Sequence, residues 1–123
     1  MNLANALLAQ GDTVAAREQA LLGAPGAAQF ALERDWADVL AGLAAQQGRP
    51  RTAARLCGHA DAAYAQRAEV REHSEARTRT RAQAEALARA ALDDADFNRL
   101  CQVGGGLDFT HAHAQALGED DPA

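Results

Sequence analysis

A chain of 123 residues with a formal charge of −5 and no lysine is long enough for one domain, and its overall acidity makes it a poor nucleic-acid binder. About a quarter of it is alanine, the strongest helix former, and β-branched residues are few, with no isoleucine at all, which excludes a sheet protein. Aromatic residues make up only 4%, so its helices must meet through small side chains.

In chain order, Leu3, Ala6, Leu7 and Gln10 have helical spacing, and Gly11-Asp12 breaks that helix. A second helix is expected over Thr13–Leu22, followed by a loop at Gly23-Ala24-Pro25-Gly26. The next helix, about Ala27–Gln47, carries the clearest apolar stripe: Trp36, Val39, Leu40 and Leu43 fall at i, i+3, i+4 and i+7. Gly48 ends it, and Pro50 stands where a helix accepts proline, in its first turn. Ala53, Leu56, Cys57, Ala60, Ala63 and Tyr64 form the stripe of the helix that follows, and the short connection makes the two an antiparallel hairpin. A charged helix over about Arg71–Leu92 has a thin apolar face of Ala76, Thr80, Ala84, Leu87 and Ala91. Asp93 or Asp94 caps a short helix with Phe97, Leu100 and Cys101. Gly104-Gly105-Gly106 reads as a flexible break, Asp108 starts a last helix through Leu117, and residues 118–123 read as a disordered tail.

Charge is unevenly spread along these elements. Residues 1–48 hold two Arg and five acids, 49–89 nine Arg and five acids, and 90–123 one Arg and seven acids. The middle arginines alternate with Glu69, Glu72, Glu75 and Glu85, which suits a solvated helix face better than a nucleic-acid contact. Total Arg-for-Lys bias in an Ala-rich chain points to a GC-rich bacterial genome. Two cysteines, Cys57 and Cys101, do not make a disulfide framework. With neither a signal peptide nor a membrane-length apolar run, the expectation is a cytoplasmic protein with no membrane contact.

An internal repeat organises the first half. Gln10-Gly11-Asp12-Thr13-Val14-Ala15-Ala16-Arg17 recurs as Gln47-Gly48-Arg49-Pro50-Arg51-Thr52-Ala53-Ala54-Arg55, with an alanine, Ala16 or Ala53, five residues after each glycine. The glycine permits a tight turn between two helices, and the small residue lets them approach. This spacing resembles the TPR signature, and Ala60 matches a further small position of it. The expected fold is therefore all-α, a right-handed superhelix of TPR-like hairpins. One domain spans residues 1–117: a short first hairpin (1–22), a second hairpin (27–66) and terminal helices (70–117). The first helix is short for a TPR: either the chain begins inside a repeat or the first hairpin is naturally short, and self-association through that end is expected.

From Trp36 to Leu117 the chain resembles the C-terminal segment of large bacterial LuxR-type and maltose-regulator-like transcriptional regulators and their cyclase–ATPase relatives. Gln47-Gly48-Arg49-Pro50 matches their turn, and Ala53-Ala54-Arg55-Leu56 the helix after it. The charged helix, the Ala95-Asp96-Phe97 segment, Gly104 and the helix from Leu107 to Leu117 follow in the same order. Cys101 departs from a position where those proteins often carry Trp, and His111 and His113 replace acidic or apolar residues. Nucleotide-binding, cyclase and DNA-binding modules are absent, and without lysine no phosphate loop of the Gly-Lys-Ser/Thr type can exist. The resemblance implies a scaffold or sensor segment of a regulator.

Candidate chemistry is sparse. His111 and His113 at i, i+2 diverge on a helix, as do Cys57 and His59, so no metal set is expected. Asp93, Asp94 and Asp96 suit capping and the helix dipole better than acid–base work. Ser74 is the only serine, and no nucleophile, base and stabiliser come together. The expectation is a non-enzymatic scaffold, with no cofactor and no nucleic-acid contact, that binds a protein segment or its own copy as a homo-oligomer. The alternative is a small-molecule sensor with a pocket near Trp36, Tyr64 and Phe97.

Overall fold

The computed structural model describes residues 2–29, 33–65, 75–118 and 120–122. All regular structure among them is helical: α1 (Asn2–Ala9), α2 (Thr13–Gln29), α3 (Glu33–Gln46), α4 (Pro50–Ala65), α5 (Glu75–Ala91), α6 (Asp94–Gly105) and α7 (Phe109–Leu117). Helices α1 and α2 pack on each other, as do α3 and α4; α2 also packs on α3, α5 lies against α1, α3 and α4, α6 lies on α4, and α7 crosses α3 and α4.

Helix α3 is the centre of the core. Every residue from Trp36 to Ala45 is buried, where the sequence pattern predicts a single stripe. Neighbours on several sides explain the difference, because a helix enclosed all round has no face left for water. Its glycine and alanines make room for those neighbours: a Cβ on Gly42 would stand 2.7 Å from Thr80 Cγ2 of α5.

Three expectations change. Helix α2 runs through Gly23-Ala24-Pro25-Gly26 to Gln29 instead of ending at Leu22, so Ala27–Gln29 belong to α2 and not to the next helix. Proline has a helical φ, although it removes one donor and crowds the carbonyl four residues back, and Leu21-Leu22 and Ala27-Ala28 on either side are strong helix formers. The buried row of α5 is Thr80, Ala84 and Ala88, while Leu87 is 41% exposed and Ala91 is exposed too. This i, i+4, i+8 row presents only small groups, which allows the close approach to α3. Gly104 and Gly105 are helical, not a linker. Gly104 packs on the Arg55 carbonyl of α4, and Gly58 of α4 packs on the Cys101 carbonyl of α6, so that a Cβ at either place would overlap backbone. The two helices meet backbone to backbone through reciprocal glycines.

The expected helix starts at Asp93 and Asp108 are present as caps. Asp93 Oδ1 accepts from the Asp96 N–H at 2.7 Å and Asp108 Oδ1 from the His111 N–H at 2.8 Å. The side chains of Leu3, Ala63, Tyr64 and Ala76, and residues 71–74, lie outside the described residues.

Candidate functional site

The two repeat turns have the same backbone. Gly11 and Gly48 both adopt the left-handed conformation, with φ of 76° and 75°. In the first turn the Gly11 N–H donates to Leu8 O and the Asp12 N–H to Leu7 O; in the second the Gly48 N–H donates to Ala45 O and the Arg49 N–H to Ala44 O. This pair of bonds is the Schellman motif, which satisfies the last helix carbonyls and needs a residue tolerant of positive φ. Ala16 and Ala53 follow at the same offset, and both are fully buried, as is Ala60.

The turns differ one residue later. In the first, Asp12 sits at the N-cap and its Oδ1 accepts from the Ala15 N–H at 3.2 Å. In the second, the equivalent residue is Arg49, which has no acceptor to offer. A carboxylate from the far end of the chain takes its place. Asp121 Oδ1 accepts from the Thr52 N–H at 2.7 Å and its Oδ2 from the Arg51 N–H at 3.2 Å. Thr52 is the counterpart of Ala15, so the same amide of the repeat is capped locally in one copy and remotely in the other. The segment expected as a disordered tail thus has defined contacts at Asp121 and Pro122.

Three arginines complete the cluster. Arg49 donates to Gln115 O at 2.8 Å and to Ala116 O, and Arg17 donates to Leu117 O at 3.0 Å. These are the last carbonyls of α7, where the helix dipole favours a cation. Arg55, itself buried, donates from Nη1 to Pro122 O at 2.8 Å, from Nε to Gln115 Oε1 at 2.9 Å and from Nη2 to Thr52 Oγ1 at 3.1 Å. Burial pulls the pKa of Arg49 and Arg55 down, the Asp121 charge opposes that, and neighbouring arginines add to the lowering: Arg17 for Arg49, Arg51 and Arg99 for Arg55. An open cleft lined by Val14, Arg17, Glu18, Gln47 and Arg49 adjoins the cluster.

A second polar cluster ties α5 to α4. Arg81 pairs with Asp61 at 2.9 Å and with Glu85 at 3.1 Å. Burial works against its charge, but the hydrogen bonds to Asp61 and Glu85 and the nearby acidic groups outweigh that and hold its pKa above the ordinary value. Arg89 reaches Glu85 and Asp94 and lies over the Phe97 ring, 4.1 Å from its centroid. Beneath lie the thiols. Burial pushes Cys57 up to about 12 and raises Cys101, whose Sγ donates to Ala54 O at 3.3 Å. A thiol held protonated in this way is a poor nucleophile.

The described histidines, His59, His111 and His113, contact neighbouring backbone and side chains, and His113 Nε2 is buried without a hydrogen-bond partner among the described residues. His59 Nδ1–H donates to Leu107 O at 3.0 Å, His111 pairs with Asp108 at 2.7 Å, and His113 stacks on Phe109. The backbone and side chain of His111 together hold the Asp108 carboxyl below its usual range. Among the described residues no three His, Cys, Asp or Glu side chains converge as a metal site would require. Trp36, 6% exposed, and Phe97 are core residues.

No family model matches the chain, and no curated protein or solved structure resembles it significantly. Site residues that sequence reasoning missed are Arg49, Arg55, Gln115 and Asp121. One local signal was present: a helix start at Pro50 with arginine, not a capping residue, before it, in a chain whose end is rich in acids.

Proposed function

We propose that this chain is a non-enzymatic, TPR-like interaction scaffold, and that it forms the C-terminal part of a bacterial transcriptional or signalling regulator. The observation that carries the scaffold reading is the turn used twice: one Schellman motif, one positive-φ glycine and one buried alanine at the same offset, repeated 37 residues apart. Regular stacking of such units is how helical repeats build extended binding surfaces. The regulator reading rests on the resemblance of residues 36–117.

The sides of α1 and α3 under α5 are not the surface we assign to a partner, because α5 already packs on them. The outer face of α2 suits contact better. Val14 and Leu21 stand two turns apart on one side of it, 74% and 44% exposed. Self-association through this face should appear in light scattering as a mass above that of the 12.9 kDa chain at high concentration. A Val14→Asp variant should return the monomer mass with its helical circular dichroism intact. A strictly monomeric wild-type chain would sink the self-association part. Burial of Trp36 and Phe97 in the core supports the scaffold reading over the small-molecule sensor. A saturable change of Trp36 fluorescence in a metabolite screen would reverse that preference.

A further inference from the structure

Helix α2 turns one stripe to solvent. Its Ala16 and Ala20 are fully buried, and the helix packs on α1 and α3. Val14, Glu18 and Leu21 are exposed, and Arg17 is half-buried at their margin. These four positions are i, i+3, i+4 and i+7, so they share one side of the helix and frame a hole of the kind into which a facing helix inserts a side chain. An open cleft of about 540 Å³ lies beside them, lined by Val14, Arg17 and Glu18 and, beyond α2, by Gln47 and Arg49.

The stripe reads apolar, positive, negative, apolar. A two-fold axis crossing the helix between Arg17 and Glu18 lays this pattern antiparallel on itself. Val14 then faces the partner's Leu21, Arg17 faces the partner's Glu18, and Glu18 faces the partner's Arg17. A closed pair of identical chains needs a surface complementary to itself, and here charge and apolar groups meet that need in one register. Parallel packing in register would set arginine on arginine and glutamate on glutamate, which is costly. Both charges are available. Glu18 makes no ion pair among the described residues, and Arg17 uses only Nη2 among them, on Leu117 O at 3.0 Å, which leaves its other N–H groups to donate.

We propose that the chain pairs with a second copy through α2, antiparallel and centred between Arg17 and Glu18, with two reciprocal Arg17–Glu18 ion pairs between two Val14–Leu21 contacts. The pairing rests on self-association through α2 and adds its orientation, its register and the residues that select the partner. A contact of one helix stripe lies below the roughly 1,200 Å² of a stable complex, so the dimer dissociates on dilution.

The test is sedimentation equilibrium of the full chain over a concentration series. Glu18→Arg sets arginine against arginine at both crossings and should raise the dimer dissociation constant about tenfold or more. Arg17→Glu should do the same, and an equal mixture of the two variants should recover dimers, because every opposed pair again has opposite signs. Orientation is read by diamide cross-linking. Val14→Cys mixed with Leu21→Cys should give more cross-linked dimer than the wild-type chain or either variant alone, since like positions stand about 10 Å apart along the helix in this register. A wild-type chain that is monomeric throughout removes self-association and the pairing with it. Dimers that Val14→Asp dissolves and Glu18→Arg leaves intact keep the α2 face but overturn the pairing. A mixture that stays monomeric, or cross-links that are stronger in one variant alone, also overturns it. If Arg17→Glu lowers the helical signal through loss of its bond to Leu117, the Glu18→Arg and cross-linking results decide.

Discussion

Helices α5 and α6 both lie on α4, and different physics holds each of them there. Between α4 and α6 the fit is one of shape: Gly58 and Gly104 remove the Cβ atoms that would hold the helices apart, and each backbone rests on the other. Between α4 and α5 the fit is one of charge: Arg81 of α5 pairs with Asp61 of α4 and with Glu85 of its own helix. A shape fit fails abruptly when one atom is added, because backbone cannot move aside. A fit made by flexible charged side chains at a partly wet surface yields gradually. Mutations at the two contacts should therefore differ sharply in cost.

The largest effect is expected for Gly104→Ala. One methyl placed against the Arg55 carbonyl should cost about 3 kcal/mol or more, read as a lower denaturation midpoint with an unchanged slope. A loss below about 1 kcal/mol would mean that α6 can slide and the comparison fails. Next comes Cys57, buried near both contacts. Its folded pKa, raised to about 12 from an ordinary 9.0, gives a stability contribution that is fully present below pH 9 and lost as pH rises from 9 toward 12. Wild-type chain should lose stability over that window faster than Cys57→Ala, and alkylation of Cys57 in the folded chain at pH 8 should be slow; equal alkaline curves would remove the thiol from the account. Arg81→Ala should cost about 1 kcal/mol, since Asp61 keeps much of its water, and raised salt should narrow the difference from wild type. Smallest of all, Leu87→Gln should stay within about 0.5 kcal/mol. A larger loss would show that the outer side of α5 is covered by something after all.

Much of this was legible from local chemistry. Gly48, Pro50, Asp93 and Asp108 mark helix ends through φ preference, a missing donor and side-chain acceptors, all of which act within a turn. The core stripe of α3 was legible in part, but spacing alone gave no sign that Ala37, Ala41, Ala44 and Ala45 would be buried too. What escaped was non-local. Gly104-Gly105-Gly106 looks like a break until α4 lies against it, because a close approach leaves no mark within one segment. Pro25 suggests a loop, although its neighbours sustain the helix. The tail looks unstructured because its anchor, an uncapped helix start, is about seventy residues away. The repeat alone was visible at long range, since it is a comparison of the chain with itself.

The remote cap also orders events in time. The bond from Asp121 to the Thr52 amide closes a loop of 69 residues, which makes it one of the most non-local contacts in a molecule otherwise built of local helices. Contacts of that separation form late, because the chain between them must first be placed. The first turn of α4 should therefore become protected from hydrogen exchange only after α7 has docked, although it lies at the middle of the sequence. Protection of the Arg51 and Thr52 amides is thus a clock for the last step of folding, and a single pair of resonances would read it.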